Sequence, residues 1–171
     1  MMTLVRIGGM ALLMWCTVSI GMTMARALSK RVEELETALA VVTALENEIS
    51  CTLSPPNEAI ERMEKRELFA AAVYLPACAS MCRQGIPFPR AWKRAVGEQH
   101  GALSDDDIDL LQSLADTLGQ YNLEQQLAQT AAVRAQLQLQ LDGARERCNH
   151  YSKLYRTMGV LSGAFLIILF V

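Results

Sequence analysis

Residues 32–49 read VEELETALAVVTALENEI, and within them Val32, Leu35, Leu39, Val42, Leu45 and Ile49 recur at steps of three and four. That spacing lines one face of a 3.6-residue helix, while Glu33, Glu34, Glu36 and Glu46 fall mostly elsewhere on the wheel. The stretch predicts an amphipathic helix with a bundle to pack against. Next along the chain, Ser54-Pro55-Pro56 predicts a break, with an N-cap and a first-turn proline for a helix that carries Ile60 and Met63 inward. A further helical stretch is expected from Lys65 to Arg83, closed by Gly85. Pro76 should kink or divide it, because proline lacks a donor and clashes with the preceding turn.

A short helix with Ala91, Trp92 and Val96 should begin after Pro87 or Pro89 and end at Gly97 or Gly101. Ser104 followed by Asp105, Asp106 and Asp107 reads as a cap with carboxylates in the first turn, where they suit free amides and the helix dipole. The helix it starts is expected to bury Ile108, Leu111, Leu114 and Leu118 and to stop at Gly119. From Leu123 onward, Leu127, Ala131, Arg134, Leu137, Leu141, Ala144, Cys148, Tyr151 and Tyr155 keep a heptad-like spacing. One long helix is expected there, running into the apolar C-terminal run. No stretch alternates in the manner of a strand, and there is no internal repeat.

The two ends differ from the middle. Ile7 to Ala25 holds no charge for 19 residues, which at about 1.5 Å per residue approaches the thickness of a bilayer core. Thr157 to Val171 is a second uncharged run, of 15 residues, short enough to need Tyr155 and the stem of Arg156 at the interface or a slightly thinned bilayer. Two other readings stay open: a signal peptide cleaved near Ala25-Arg26-Ala27, and a buried terminal helix at the far end. Arg26, Lys30 and Arg31 follow the first run, and Arg145, Arg147, Lys153 and Arg156 precede the second, against Arg6 alone on the other side. The positive-inside rule therefore places the middle in the cytoplasm.

The expected fold class is all-α: a cytoplasmic helical bundle of about six helices between two transmembrane helices. Residues 1–30 form the N-terminal anchor, 31–152 the bundle and 153–171 the C-terminal anchor. Gly159 and Gly163, spaced Gly-x-x-x-Gly in the second anchor, are candidates for close helix packing in the membrane.

Chemistry is sparse. The net charge of −2 gives no broad positive field for nucleic acid. Five cysteines without regular short spacing read as reduced thiols. Cys78 and Cys82, four apart, could join Cys148 and His150 as zinc ligands, but small thiols more often fill helix interfaces. His100 and His150 have no visible nucleophile or acid to form a triad. The acidic run at Asp105 lacks the glycine and terminal glutamate of a calcium loop. Phosphate-binding glycine loops are missing. Trp92 reads as a core anchor. The sequence thus nominates no catalytic, cofactor-binding or metal residue, and the expected protein is not an enzyme.

Two segments carry a family likeness. One is Leu118-Gly119-Gln120-Tyr121-Asn122 followed by Gln126; the other is Lys153 to Gly163, KLYRTMGVLSG. Supporting matches are Arg31 to Ile49, Thr52 with Glu58-Ala59-Ile60, and Ala91-Trp92. The chain resembles stage III sporulation protein AB of endospore-forming bacteria over nearly its whole length. Asn122 stands where that family usually has aspartate, the stretch from Thr52 to Pro56 is altered, and Pro76 is unexpected.

The resemblance implies a non-catalytic component of the channel complex that joins mother cell and forespore. Its implied partners are the other stage III A proteins, including the associated ATPase, and stage II protein Q, with membrane lipid around the anchors. It further implies a fold similar to the cytoplasmic helical domain of type II secretion and type IV pilus platform proteins. That domain looks like a docking module in the mother-cell cytoplasm. A membrane-anchored thiol or metal enzyme, or an adaptor unrelated to sporulation, is the competing reading.

Overall fold

Helices α1 (Met2–Thr52), α2 (Pro56–Met63), α3 (Tyr74–Arg83), α4 (Phe88–Glu98), α5 (Asp105–Thr117) and α6 (Leu123–Phe170) follow one another in the computed structural model. The structure describes residues 2–52, 55–118 and 123–170. Side-chain surroundings are described for 15–51, 55–116, 118, 124–155, 157, 158, 161 and 162. Among these residues there is no strand, so the all-α expectation holds. None of the described helices has a stretch long and apolar enough to cross a membrane. Much of both terminal apolar runs, Ile7 to Met14 and Gly163 to Val171, lies outside the residues whose side chains are described.

The chain divides into two compact units, residues 1–30 with 143–171, and residues 31–142. In the first, α1 and α6 lie side by side: Ala25 and Ala144 are buried, and Ser29 Oγ sits 3.5 Å from Cys148 Sγ. Small side chains at such a contact let two helices approach closely.

The second unit holds the helical core. Along α1 the buried side chains are Leu35, Ala38, Val41, Val42, Leu45 and Ile49. The stripe differs from the expected one at Leu39, which is half-buried at the edge of the packed face. On α2, Ala59, Ile60 and Met63 turn inward. Pro55, with φ −57° and ψ 143°, holds the N-cap position and Pro56 the first helical one, so the cap is not the expected Ser54, which lies outside the described residues. Proline suits both places because its missing N–H would have had no helical partner there.

The expected stretch from Lys65 to Arg83 is not one helix. A 3₁₀ turn, Glu67–Phe69, follows α2, and α3 starts only at Tyr74. Pro76 dictates this division: its ring excludes the helical carbonyl of residue 72, and placed third in α3 it falls in the turn whose amides have no partner anyway. At the other end Gly85 takes φ +84°, with Gly85 N–H donating to the Cys82 carbonyl and Ile86 N–H to that of Met81. This is the double bond of a Schellman stop, which needs a residue free to turn left-handed.

Helix α4 begins after Pro87 and runs past Gly97 to Glu98; Gly101, with φ +61°, lies in the loop beyond. It packs against α3 on one side and α5 on the other. Trp92 sits at the centre, fully buried, with its Nε1–H donating to the Leu111 carbonyl at 2.7 Å. Tyr74 meets it edge-on at 5.5 Å and Phe88 lies tilted at 5.7 Å. The expected core residues Ile108, Leu111, Leu114 and Leu118 of the α5 segment are all buried. Leu114→Ala should therefore cost about 2–5 kcal/mol of stability. Leu39→Ala should cost about 1 kcal/mol, since Leu39 is only half-buried. Urea midpoints of the full chain compare the two.

Helix α6 departs from the heptad reading upstream of Leu137 and again at Tyr151, which is exposed. Thr130 and Val133 face inward with Leu137, Leu141 and Ala144, while Ala131 is half-buried and Arg134 points out to Glu46. A polar side chain can occupy the buried place because the Thr130 hydroxyl donates to the Gln126 carbonyl at 2.8 Å.

Candidate docking surface

Thiol chemistry finds little support in the cysteine pair. Cys78 is buried, and burial, followed by the neighbouring Cys82, pushes its thiol well above the ordinary range. Burial also raises Cys82. A protonated, enclosed thiol is a poor nucleophile and a poor metal ligand. Cys148 and His150 belong to the first unit, where His150 is exposed and stacks edge-on against Tyr151 at 5.0 Å. Among the described residues no three His, Cys, Asp or Glu side chains are grouped to hold a metal ion. His100 closes a local turn, its Nδ1 lying 3.0 Å from the Gly97 carbonyl oxygen. Gly159 and Gly163 fall within α6, but their surroundings are outside the described residues.

The polar feature of the second unit is a buried junction that the sequence did not disclose. Ser104 caps α5 in a reciprocal box with Asp107, whose Oδ2 accepts the Ser104 N–H at 2.9 Å. Asp107 is therefore not a solvated first-turn carboxylate: it is fully buried. From α1, Arg31 donates to both carboxylate oxygens of Asp107, Nε at 3.1 Å and Nη2 at 3.3 Å, and to Ser104 Oγ at 2.9 Å. A two-pronged arginine contact fixes orientation as well as distance. Arg31, counted from the sequence among the cations flanking the first apolar run, is thus a tie between α1 and α5.

One turn further along α1, the buried Glu34 carboxylate accepts the Ala102 N–H and rests against Gly101. Gly101 suits the place twice over, since it takes a left-handed φ and a Cβ there would strike that carboxylate. Beneath lies the Tyr74 hydroxyl, buried without a hydrogen-bond partner. Burial first, and then the charge of Glu34, hold this phenol far above its usual range, so it stays neutral. Arg31 and Glu34 together pin the α4–α5 loop and the start of α5 to α1. The outer face of α5 is thereby held in place.

Hollows open on the described part of this unit. One, of about 320 Å³, lies between α1 and α6 over Leu39, Thr43, Ala131, Arg134, Ala135 and Gln138. The second, of about 640 Å³, lies between α5 and α6 and is lined by Asp106, Asp109, Leu110, Ser113, Leu139 and Gln140, among others. Both are open grooves.

The family model for stage III sporulation protein AB matches residues 6–171. The chain belongs to this family. Comparison with curated proteins and with solved structures gave no match. The family match covers the second unit and nearly all of the first, including both uncharged terminal runs, and it makes this a sporulation protein.

Proposed function

We propose that this protein is a non-catalytic docking component of the sporulation channel complex between mother cell and forespore. The terminal runs hold it in the cell membrane as two spanning helices, and the helical unit faces the mother-cell cytoplasm. Its partners in this reading are the other stage III A proteins, including the associated ATPase, and stage II protein Q. The helical unit acts in the manner of a secretion-platform domain. The observation that carries the reading is the family match, which embraces both uncharged runs as well as the bundle between them. The positive charges that flank the runs on the bundle side support the orientation. Confinement to a surface also raises the effective concentration of a weakly bound partner, to about the millimolar range for a short tether.

Complementation of a null strain tests this, scored by heat-resistant spores with protein abundance followed alongside. Chains lacking residues 1–30 or ending at 152 should fail, while Cys78→Ser should sporulate. Restoration by residues 31–152 alone, or loss of sporulation in an abundant Cys78→Ser protein, would sink the docking reading. In intact cells Cys51, exposed near the end of α1, should resist a membrane-impermeant thiol reagent. Ready labelling would reverse the topology.

A further inference from the structure

We propose that the groove between α5 and α6 seats a cationic amphipathic helix of a partner protein. The proposal rests on the docking reading above and names the surface and the chemistry it would recognise. The groove has an apolar ridge with acceptors around it. Leu139 on α6 is 72% exposed, and Leu110 on α5 shares the lining. An isobutyl group held that far into water gains little for the chain by itself, and burying it against a partner gains about 1.5–3 kcal/mol. Alongside stand the exposed carboxylates of Asp106 and Asp109.

Charge identifies the occupant. Neither Asp106 nor Asp109 carries an ion pair among the described residues, whereas most cations of the second unit are already engaged. Lys93 holds Asp116, Arg94 holds Glu98, Arg83 holds Glu64, Arg62 and Arg66 hold Glu48, and Arg134 holds Glu46. A second copy of the unit therefore has few free cations to offer. An anionic lipid surface or a nucleic acid would be repelled by the same carboxylates. A helix with leucine-like side chains on one face and lysine or arginine at its margins would cover Leu139 and pair with Asp106 and Asp109. The volume suits several side chains of such a helix.

The test uses the full chain in nanodiscs of zwitterionic lipid, with empty nanodiscs as reference. The probe is a synthetic helical peptide of about 18 leucine and lysine residues, long enough to lie along the groove. Its counterpart replaces lysine with glutamate. The lysine peptide should bind protein-loaded discs above the empty ones, more weakly as salt rises. Asp106→Asn with Asp109→Asn should weaken it roughly tenfold, as should Leu139→Gln, with each variant still folded by circular dichroism. Carbodiimide coupling should join peptide lysines to Asp106 or Asp109.

Equal binding by the glutamate peptide, binding no greater than to empty discs, or identical affinity for the variants would overturn the proposal. Self-association of the chain that Leu139→Gln abolishes would overturn it too, by giving the groove to a second copy. None of these outcomes touches the need for both anchors in sporulation, so failure here is distinct from failure of the docking reading.

Discussion

Replacing Trp92 with Ala is expected to remove about 3–5 kcal/mol of stability, enough to unfold much of the helical unit at moderate temperature. The indole is fully buried between α3 and α5, touches Tyr74 and Phe88, and spends its only donor on the Leu111 carbonyl. Truncation opens a cavity where three helices meet and strips that carbonyl of a partner. Trp92→Phe should cost clearly less, since it keeps most of the volume while losing the hydrogen bond, worth about 0.5–1.5 kcal/mol, and a smaller part of the packing. Urea denaturation of the full chain followed by circular dichroism measures both. A Trp92→Ala midpoint close to that of the parent would show that α4 is not the centre of this core.

The second large effect is expected at the junction of α1 and α5. Arg31→Met leaves the Asp107 carboxylate buried without its cation, and should cost about 3 kcal/mol, the low end for a broken buried pair because Arg31 keeps a quarter of its side chain exposed. Asp107→Ala removes the pair and the Asp107 half of the reciprocal cap of α5 together, and should cost at least as much. Arg31→Met combined with Asp107→Leu should cost much less than the two single changes added, since neither charge is then left alone. Additive costs in the same denaturation series would mean that the pair is not coupled.

Much of this architecture was legible in the residues themselves. The period of VEELETALAVVTALENEI, the prolines at 55, 56, 76 and 87, the Gly85 stop and the Ser104 cap are local instructions, each acting through backbone geometry within a turn or two. They determined most of the described helices, many of their ends and the burial of Trp92 and Leu114. The likeness to the sporulation family was likewise carried by short runs of sequence, and the family match agrees with it.

Other features were decided only when the helices met. Asp107 looks the same in sequence as Asp105 and Asp106, and it alone is buried because position N3 of α5 turns toward Arg31, 76 residues earlier in the chain. Thr130 took the inward place that the pattern gave to Ala131, since a hydroxyl bonded to its own helix can be enclosed at small cost. The groove lined by Leu110 and Leu139 depends on how α5 and α6 are juxtaposed. Periodicity reports which way a side chain points from its own helix axis. Which neighbour it meets, and whether a charge finds a partner there, is set by contacts between residues far apart in the chain.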